Sequence, residues 1–453
     1  MPPINASNPL GEKPVGRLLL QYAIPSIIST ILASLYNIID QIFIGQRIGY
    51  LGNAATTVAY PLTILCGALT LLMGTGASVL FNILNGKEKK EDAMHFAGTG
   101  ISVLIIEGFI VGLLVMVFTP VFVYLFGATA EVTPYAITYM RIIAIGIPFT
   151  MLTTGGTLLV RSDGSPRYAL ACSMAGVGCN FVLDYLFLFP LNMGIAGAAL
   201  ATIIGQILSA MMVIWYLLHF KTMPFARTHF TVRFADLKQI AAIGAAASLN
   251  QAAMLAMNLV LNSSLRYYGE RSIYGGSEAL AAAGIVTKTS FLFYATMIGC
   301  SIGGQPIIGF NFGARKYDRV KKTFRMILIY ALIAGLVETA CFWLLPHQML
   351  GLFGDSSGSY EAFALRYMHV FMLLVILSGI PPVSMNLMSS IGKAKSGIII
   401  SLSKQLALII LLLLLPRLFG IDGVLYAGPL ADISAAICSY IMVSKIYKNV
   451  LTI

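Results

Sequence analysis

The sequence predicts an all-α polytopic membrane protein: twelve transmembrane helices in two six-helix lobes, a parallel repeat around a central cleft. Three observations carry that expectation. First, 58% of the 453 residues are hydrophobic and only 10% are charged, with a mean hydropathy of +0.85. A soluble domain carries about 25% charged residues, so the chain has too little polar material to coat a water-soluble fold of this size. Second, apolar runs long enough to cross a bilayer recur along nearly its whole length. Third, the two halves of the chain match each other in order. A soluble enzyme, a nucleic-acid binder and a secreted disulfide scaffold are excluded together. The net charge of +11 is read as a loop bias of membrane proteins and gives no sign of a nucleic-acid partner.

The spans follow from runs bounded by charges, Gly or Pro, each needing about 20 apolar residues. The N-terminal stretch Met1 to Arg17 is polar and rich in Pro and Gly, and the run after it is too long for a cleaved signal peptide. That run, about 18–44, is expected to be a retained first span. It is followed by runs at about 52–84, 96–126, 135–160, 168–189 and 195–219. The only long hydrophilic connector, His219 to Lys238, comes next at the midpoint of the chain. Six more runs lie at about 238–265, 279–311, 324–345, 361–388, 396–415 and 422–444. The expected organisation is an N-terminal lobe over 1–219, a cytoplasmic inter-lobe loop over 220–237 and a C-terminal lobe over 238–453.

An even number of spans puts both termini on one side. Lys and Arg in the loops number twenty-two on that side, from Lys13 and Arg17 to Lys445 and Lys448, a count that places Lys404 among the loop residues. Five lie on the other side: Arg47, Arg266, Arg271, Arg366 and Arg417. The asymmetry predicts cytoplasmic termini. At an offset of about 227, Gly76 falls on Gly303 and Gly86-Lys87-Glu88-Lys89 on Gly313-Ala314-Arg315-Lys316. Arg161-Ser162-Asp163-Gly164-Ser165 likewise falls on Ser389-Ser390-Ile391-Gly392-Lys393, and Gly194-Ile195-Ala196-Gly197 on Gly420-Ile421-Asp422-Gly423. Three ordered matches indicate a duplicated six-helix unit. Because six is even, both copies share one orientation, an arrangement typical of two-lobed transporters rather than channels.

The cysteines, Cys66, Cys172, Cys179, Cys300, Cys341 and Cys438, all lie in apolar stretches without metal-ligand spacing and are read as packing residues.

Five acids fall inside spans: Asp40, Glu107, Asp184, Glu338 and Asp432. An ionisable group near the bilayer centre costs about 2.5–3.5 kcal/mol on the milder scale, so each is a functional candidate. Asp40 precedes Gly45 by five residues and Asp184 precedes Pro190 by six, on spans that both run outward. At about 1.5 Å per residue the two carboxyls reach similar depths. Tyr36 lies one turn below Asp40, Asn180 one turn below Asp184, and Thr202 enters on span six at a comparable depth. Gln206, on the same span as Thr202, is a supporting candidate. Two carboxylates, an amide oxygen and a hydroxyl suit a small cation such as Na⁺. They suit a single proton equally, since two adjacent carboxyls in low dielectric do not both ionise easily. The second half has no copy, for Leu408 and Leu412 stand near the equivalent positions. Lys288, about ten residues into span eight, needs a partner, for which Asp432 and Glu338 are both available. Arg141 lies near a span end and can snorkel. Pro25 should bend span one, as an ordinary kink or as a moving hinge.

The run Tyr36-Asn37-Ile38-Ile39-Asp40-Gln41-Ile42-Phe43-Ile44-Gly45, the stretch Gly303-Gly304-Gln305-Pro306-Ile307-Ile308-Gly309-Phe310-Asn311-Phe312-Gly313-Ala314-Arg315-Lys316, and Arg161-Ser162-Asp163-Gly164 followed by Asn180 and Asp184 together resemble the MATE (multidrug and toxic compound extrusion) family, in its DinF-like and MepA-like bacterial branch. The resemblance covers essentially the whole chain. It implies a secondary antiporter of the bacterial plasma membrane that expels organic, often cationic and amphipathic, compounds in exchange for H⁺ or Na⁺, with no cofactor. It also implies a cation site in the N-terminal lobe at Asp40, Asn180, Asp184 and Thr202, and a role for Pro25 in bending helix one during transport. Acids on helices seven and ten, which hold Na⁺ in some members, are missing here beyond the terminal Glu361. The expected partners are small organic molecules and membrane lipids, and a monomer is expected.

The alternative within the wider superfamily is a flippase of lipid-linked precursors, which would line its cleft with several cations where this chain offers Lys288 and Arg141. An intramembrane enzyme would need a catalytic set at helical spacing. The five histidines, His95, His219, His229, His347 and His369, do not supply one.

Overall fold

The computed structural model describes residues 8–351 and 358–450, and among these there is no strand. A single turn, α1 (Pro9–Glu12), precedes six long helices: α2 (Val15–Ile48), α3 (Tyr50–Gly86), α4 (Lys90–Leu125), α5 (Thr133–Ser162), α6 (Pro166–Leu188) and α7 (Gly194–Leu218). A connector with one 3₁₀ turn leads to α8 (Phe234–Gly269), α9 (Gly276–Gly313) and α10 (Tyr317–Leu344). Then come α11 (Pro346–Gly351), α12 (Gly358–Arg366), α13 (Ile380–Ser390), α14 (Ala394–Phe419) and α15 (Ile421–Asn449). Eleven helices are long and apolar enough to span a bilayer, and the bent pair formed by α12 and α13 makes up to twelve. Side chains such as Phe109, Leu113, Val117 and Tyr124 on α4 are exposed, the outward apolar surface that a lipid environment accepts and water does not.

The two bundles meet backbone to backbone through α2 against α9 and α3 against α8 and α9. Glycine makes the approach possible. A Cβ added at Gly86 would stand 2.0 Å from the Phe310 carbonyl oxygen, and one at Gly313 would stand 2.0 Å from that of Ile83. Ile83 and Gly86 fall on Phe310 and Gly313 at the repeat offset, so the crossing is reciprocal, as a two-fold axis between parallel copies requires. Gly76 against Ile240 and Gly244 against Leu72 are as close, at 2.0 and 1.8 Å from an added Cβ, and Gly299 against Ile27 and Gly303 against Tyr22 and Ala23 follow at 2.5 and 2.7 Å. All lie in the halves of these helices nearer α1. Without a hydrophobic drive between helices in lipid, such small-residue contacts supply the packing.

That end of the molecule, the N-terminal face, is also tied by polar bonds. Arg319 of α10 donates to the carbonyl oxygens of Leu10 at 3.0 Å and Lys13 at 2.7 Å. Asn311 Nδ2 donates to Leu10 O at 3.0 Å, and Lys316 Nζ to Gly11 O at 3.0 Å. The end of α15 lies here too, with Tyr447 packed on Phe324. No hydrogen bond joins the bundles in their opposite halves among the described residues.

The hydrophilic connector is held by polar contacts, and sequence and structure differ in three places. Asp163 accepts from the backbone N–H groups of Lys221 and Thr222 and from the hydroxyls of Thr222 and Tyr216. His229 is buried against Glu91 at 2.9 Å, and His95 meets Asp236 at 2.9 Å. The connector ends earlier than expected, because α8 takes in residues 234–238. The tenth span is not one straight helix: it passes through a π turn at Tyr367–Phe371 and a 3₁₀ turn at Val375–Leu377 and bends by 52° before α13. Pro381 and Pro382 open α13, in the first turn, where a missing N–H leaves no helix bond unmade, and their rings disfavour helical backbone just before them. Lys404 is no loop residue: it lies within α14 and pairs with Asp432. Pro25, by contrast, is accommodated inside the uninterrupted α2.

Candidate coupling site

The Asp40 and Asp184 site is built where α2, α6 and α7 converge. Gly176 of α6 faces Ser209, and Gly205 of α7 faces the Gly176 carbonyl, where an added Cβ would stand at 2.6 Å. Bare backbone at this crossing lets α6 and α7 close up, and one turn further out Asn180 Nδ2 donates to Thr202 Oγ1 at 3.4 Å. Thr202 Oγ1 also lies 3.2 Å from the Tyr36 hydroxyl of α2. Above this row the Asp40 and Asp184 carboxyls stand within hydrogen-bonding reach of each other. Asp40 is 8% exposed and Asp184 0%. Oδ1 of Asp40 and both carboxylate oxygens of Asp184 have no donor partner among the described residues.

The residues expected to meet therefore do meet: Tyr36, Asp40, Asn180, Asp184 and Thr202 form one cluster. Gln206 is the next turn of α7, and its Oε1 fills the space beside Gly146, where a Cβ would stand at 2.6 Å. That oxygen is also buried without a partner among the described residues. Tyr139 of α5 was not anticipated. Its hydroxyl lies within electrostatic reach of Asp40, Asp184 and Tyr36. A lone tyrosine in an apolar run carries no sequence signal for such a role. Buried carboxylate oxygens without donors are costly unless a proton or a cation completes them.

The other intramembrane charges separate from this site. Lys288 is exposed on α9 and has no ion-pair partner among the described residues. Neither acid expected to serve it does so: Asp432 pairs with Lys404 at 2.7 Å, and Glu338 accepts from the Ser290 hydroxyl. Arg141 is exposed on α5. Glu107 is half-buried, with Oε2 unpartnered among the described residues.

Two helical bundles related by a parallel repeat, with ionisable groups buried at membrane depth in each, define a polytopic membrane transporter. The chain belongs to the MATE family, whose model, MatE, matches residues 25–186 and 246–414. It is similar to the multidrug export protein MepA of Staphylococcus aureus (strain NCTC 8325 / PS 47), 24% identical over 433 residues that cover 95% of this chain and 94% of the relative. In fold it resembles a crystal structure of MATE in the straight conformation, with a TM-score of 0.89 at 20% identity over 97% of this chain and 99% of the other. It also resembles an outward-facing multidrug resistance MATE family transporter, with a TM-score of 0.87 at 20% identity over 98% and 99%.

Proposed function

We propose that the protein is a secondary antiporter that exports organic, cationic and amphipathic compounds in exchange for H⁺ or Na⁺ by alternating access. The observation that carries this reading is the Asp40 and Asp184 pair, buried together with oxygens that no protein donor completes. Two carboxyls this close in low dielectric require a shared proton or a bound cation. Neighbouring Asn180, Thr202 and Tyr36 add oxygens suited to either. Residues 1–219 and 238–453 act as the two moving lobes of a monomer in the bacterial plasma membrane, with the basic N-terminal face in the cytoplasm. The close inter-lobe contacts on that face then make the present conformation outward-facing. Antiport requires that ion and drug favour opposite states, since a ligand that binds both equally shifts nothing. An entering ion neutralises the pair, removes its attraction for a cationic drug, and so promotes release.

The test is drug efflux from proteoliposomes under independently imposed pH and Na⁺ gradients. Export driven by one of them, and lost in Asp40→Asn and Asp184→Asn, is the expected result. Export that needs neither gradient would overturn the reading.

A further inference from the structure

A groove lies between α8 and α14 in the halves of these helices away from the N-terminal face. Nearer that face the two helices are joined: Gly397 meets Ala246, with an added Cβ at 3.1 Å, and Gln405 Nε2 donates to Asn250 Oδ1 at 2.7 Å. Further along, a cavity of about 540 Å³ opens between them over a floor of Leu259, Val260, Leu412 and Leu413. That volume is in the range of ligand sites, about 300–1,000 Å³. Leu259 and Leu413 are exposed, as are Leu406, Ile410 and Leu414 along α14. The groove therefore opens on the outward apolar surface, where lipid is the solvent.

The groove is graded along its length. Tyr267 and Tyr268 follow Val260 by two turns of α8, and Arg417 follows Leu413 by one turn of α14, all of them lining the cavity. Both helices run away from the N-terminal face, so at about 1.5 Å per residue the tyrosines lie about 11 Å, and Arg417 about 6 Å, further out than the floor. The rim is rich in donors and short of acceptors. Of the five loop arginines at this end, Arg47 donates to Leu188 O and Asn192 Oδ1, Arg366 pairs with Asp422 at 2.8 Å, and Arg266 pairs with Glu270 at 3.3 Å. Arg271 stands over the Tyr267 ring at 3.6 Å and donates to Tyr267 O at 2.9 Å. Arg417 alone has neither a hydrogen bond nor an ion pair among the described residues, and the hydroxyls of Tyr267 and Tyr268 are likewise without a partner there. Three of the five arginines thus gather at this rim, where Glu270 is the acid that answers them. The complement is an anion that accepts hydrogen bonds, joined to an apolar chain that points toward the middle of the membrane.

We propose that this groove is a binding site for one anionic phospholipid. An acyl chain lies on the leucine and valine floor, and the phosphate accepts from the Arg417 guanidinium, whose planar fork matches two phosphate oxygens. The tyrosine hydroxyls donate to the same head. An arginine at a span end reaches headgroups by snorkelling in any case; the groove adds a fixed place for the chain below it, as basic pockets between transmembrane helices do for acidic lipids. A zwitterionic head brings its own ammonium to a rim that already holds the surplus of positive charge, and a soluble phosphate lacks the chain that covers the floor. The site rests on the antiport reading only for its leaflet, the outer one, since lipid binding needs no gradient.

The experiment is native mass spectrometry of the delipidated full chain in detergent, titrated with dioleoylphosphatidylglycerol or dioleoylphosphatidylcholine, with glycerol 3-phosphate as a head without chains. The first phosphatidylglycerol should bind about tenfold more tightly than the first phosphatidylcholine, and an equal concentration of glycerol 3-phosphate should not displace it. Arg417→Gln should bring the two lipids within about twofold of each other, whereas Arg417→Lys should keep most of the preference, because a phosphate also accepts a point charge. Leu413→Trp keeps every charge and fills the floor, and should weaken phosphatidylglycerol about tenfold. Both positions are exposed, so neither change disturbs the core. The double variant Asp40→Asn with Asp184→Asn should bind as the wild type does. Equal affinity for the two lipids, wild-type binding in Arg417→Gln or Leu413→Trp, displacement by glycerol 3-phosphate, or loss of binding in the double variant would each overturn the proposal. The first three results would leave the antiport reading standing. Gradient-independent export with intact, Arg417-dependent lipid binding would do the reverse.

Discussion

Gly86 and Gly313 cross with each glycine pressed against a carbonyl of the other helix, at 2.0 Å from an added Cβ in both directions. The contact joins the lobes across the axis that relates them. Overpacking a tight contact costs about 1–3 kcal/mol, and here the cost falls on the conformation closed at the N-terminal face. Gly86→Leu or Gly313→Leu should leave folded protein in the membrane but open that face and cut export severely. Accessibility of a cysteine at Tyr22 to a membrane-impermeant thiol reagent measures it, and wild-type protection in both variants would mean that the crossing does not hold the face shut.

Arg319 ties the N-terminal segment to the opposite lobe through Leu10 and Lys13, with Asn311 Oδ1 also accepting from its Nε at 3.0 Å. Hydrogen bonds from a charged donor contribute about 1.5–3 kcal/mol where sheltered, and less where water competes. Arg319→Ala should therefore release α1, and trypsin should cut after Arg17 several times faster than in the wild type. Arg319→Lys should restore only part of the protection, because a point charge cannot bridge two carbonyls and an amide oxygen at once. Equal cleavage of all three proteins would show that the segment is held by other contacts.

In the proposed antiport, protons and a cationic drug would compete for the negative charge of Asp40 and Asp184. Drug affinity of the detergent-solubilised protein should fall as pH is lowered, and this dependence should vanish in Asp40→Asn. An affinity insensitive to pH that falls with added Na⁺ would assign the role to Na⁺. Indifference to both ions would exclude this cluster as the coupling element. Glu107→Gln, outside the cluster, should export more nearly as the wild type does.

Orientation is tested by single cysteines at exposed positions. Probes at Lys89, Arg233 and Arg315 should label from the cytoplasm, and probes at Ala130, Asn192 and Ile273 from outside. The reverse pattern would invert the topology and turn the present conformation inward-facing. Ser357, in the expected loop before span ten, lies outside the described residues.

Asp163→Asn should loosen the connector. The carboxylate accepts four hydrogen bonds, and an amide oxygen can replace only part of them. A loss of about 1–3 kcal/mol is expected, read as a lower melting temperature and faster proteolysis between residues 221 and 233. Unchanged proteolysis would mean that the histidine contacts alone hold the segment.

Much of this was legible in the chain. Composition and run length demand a helical membrane protein because lipid offers backbone groups no partner outside the helix. The 227-residue offset is readable because Gly76 and Gly86 recur as Gly303 and Gly313, at crossings where an added Cβ would meet the backbone of the facing helix. The meeting of Asp40 with Asp184 was also accessible, since rise per residue converts sequence position into depth when two helices run the same way.

What the tertiary structure decided is everything that depends on rotation, bending or lateral neighbours. Depth says nothing of azimuth, so only packing shows that Tyr139 lies within electrostatic reach of the acidic pair and that Lys288 is exposed, with no ion-pair partner among the described residues. A basic residue within an apolar run can be taken for a loop charge, and only the position of α15 beside α14 reveals that Lys404 is neutralised by Asp432. Pro381 and Pro382 announce an interruption in the sequence. That it becomes a 52° bend around a cavity follows from neighbouring helices, which set where the freed chain can go.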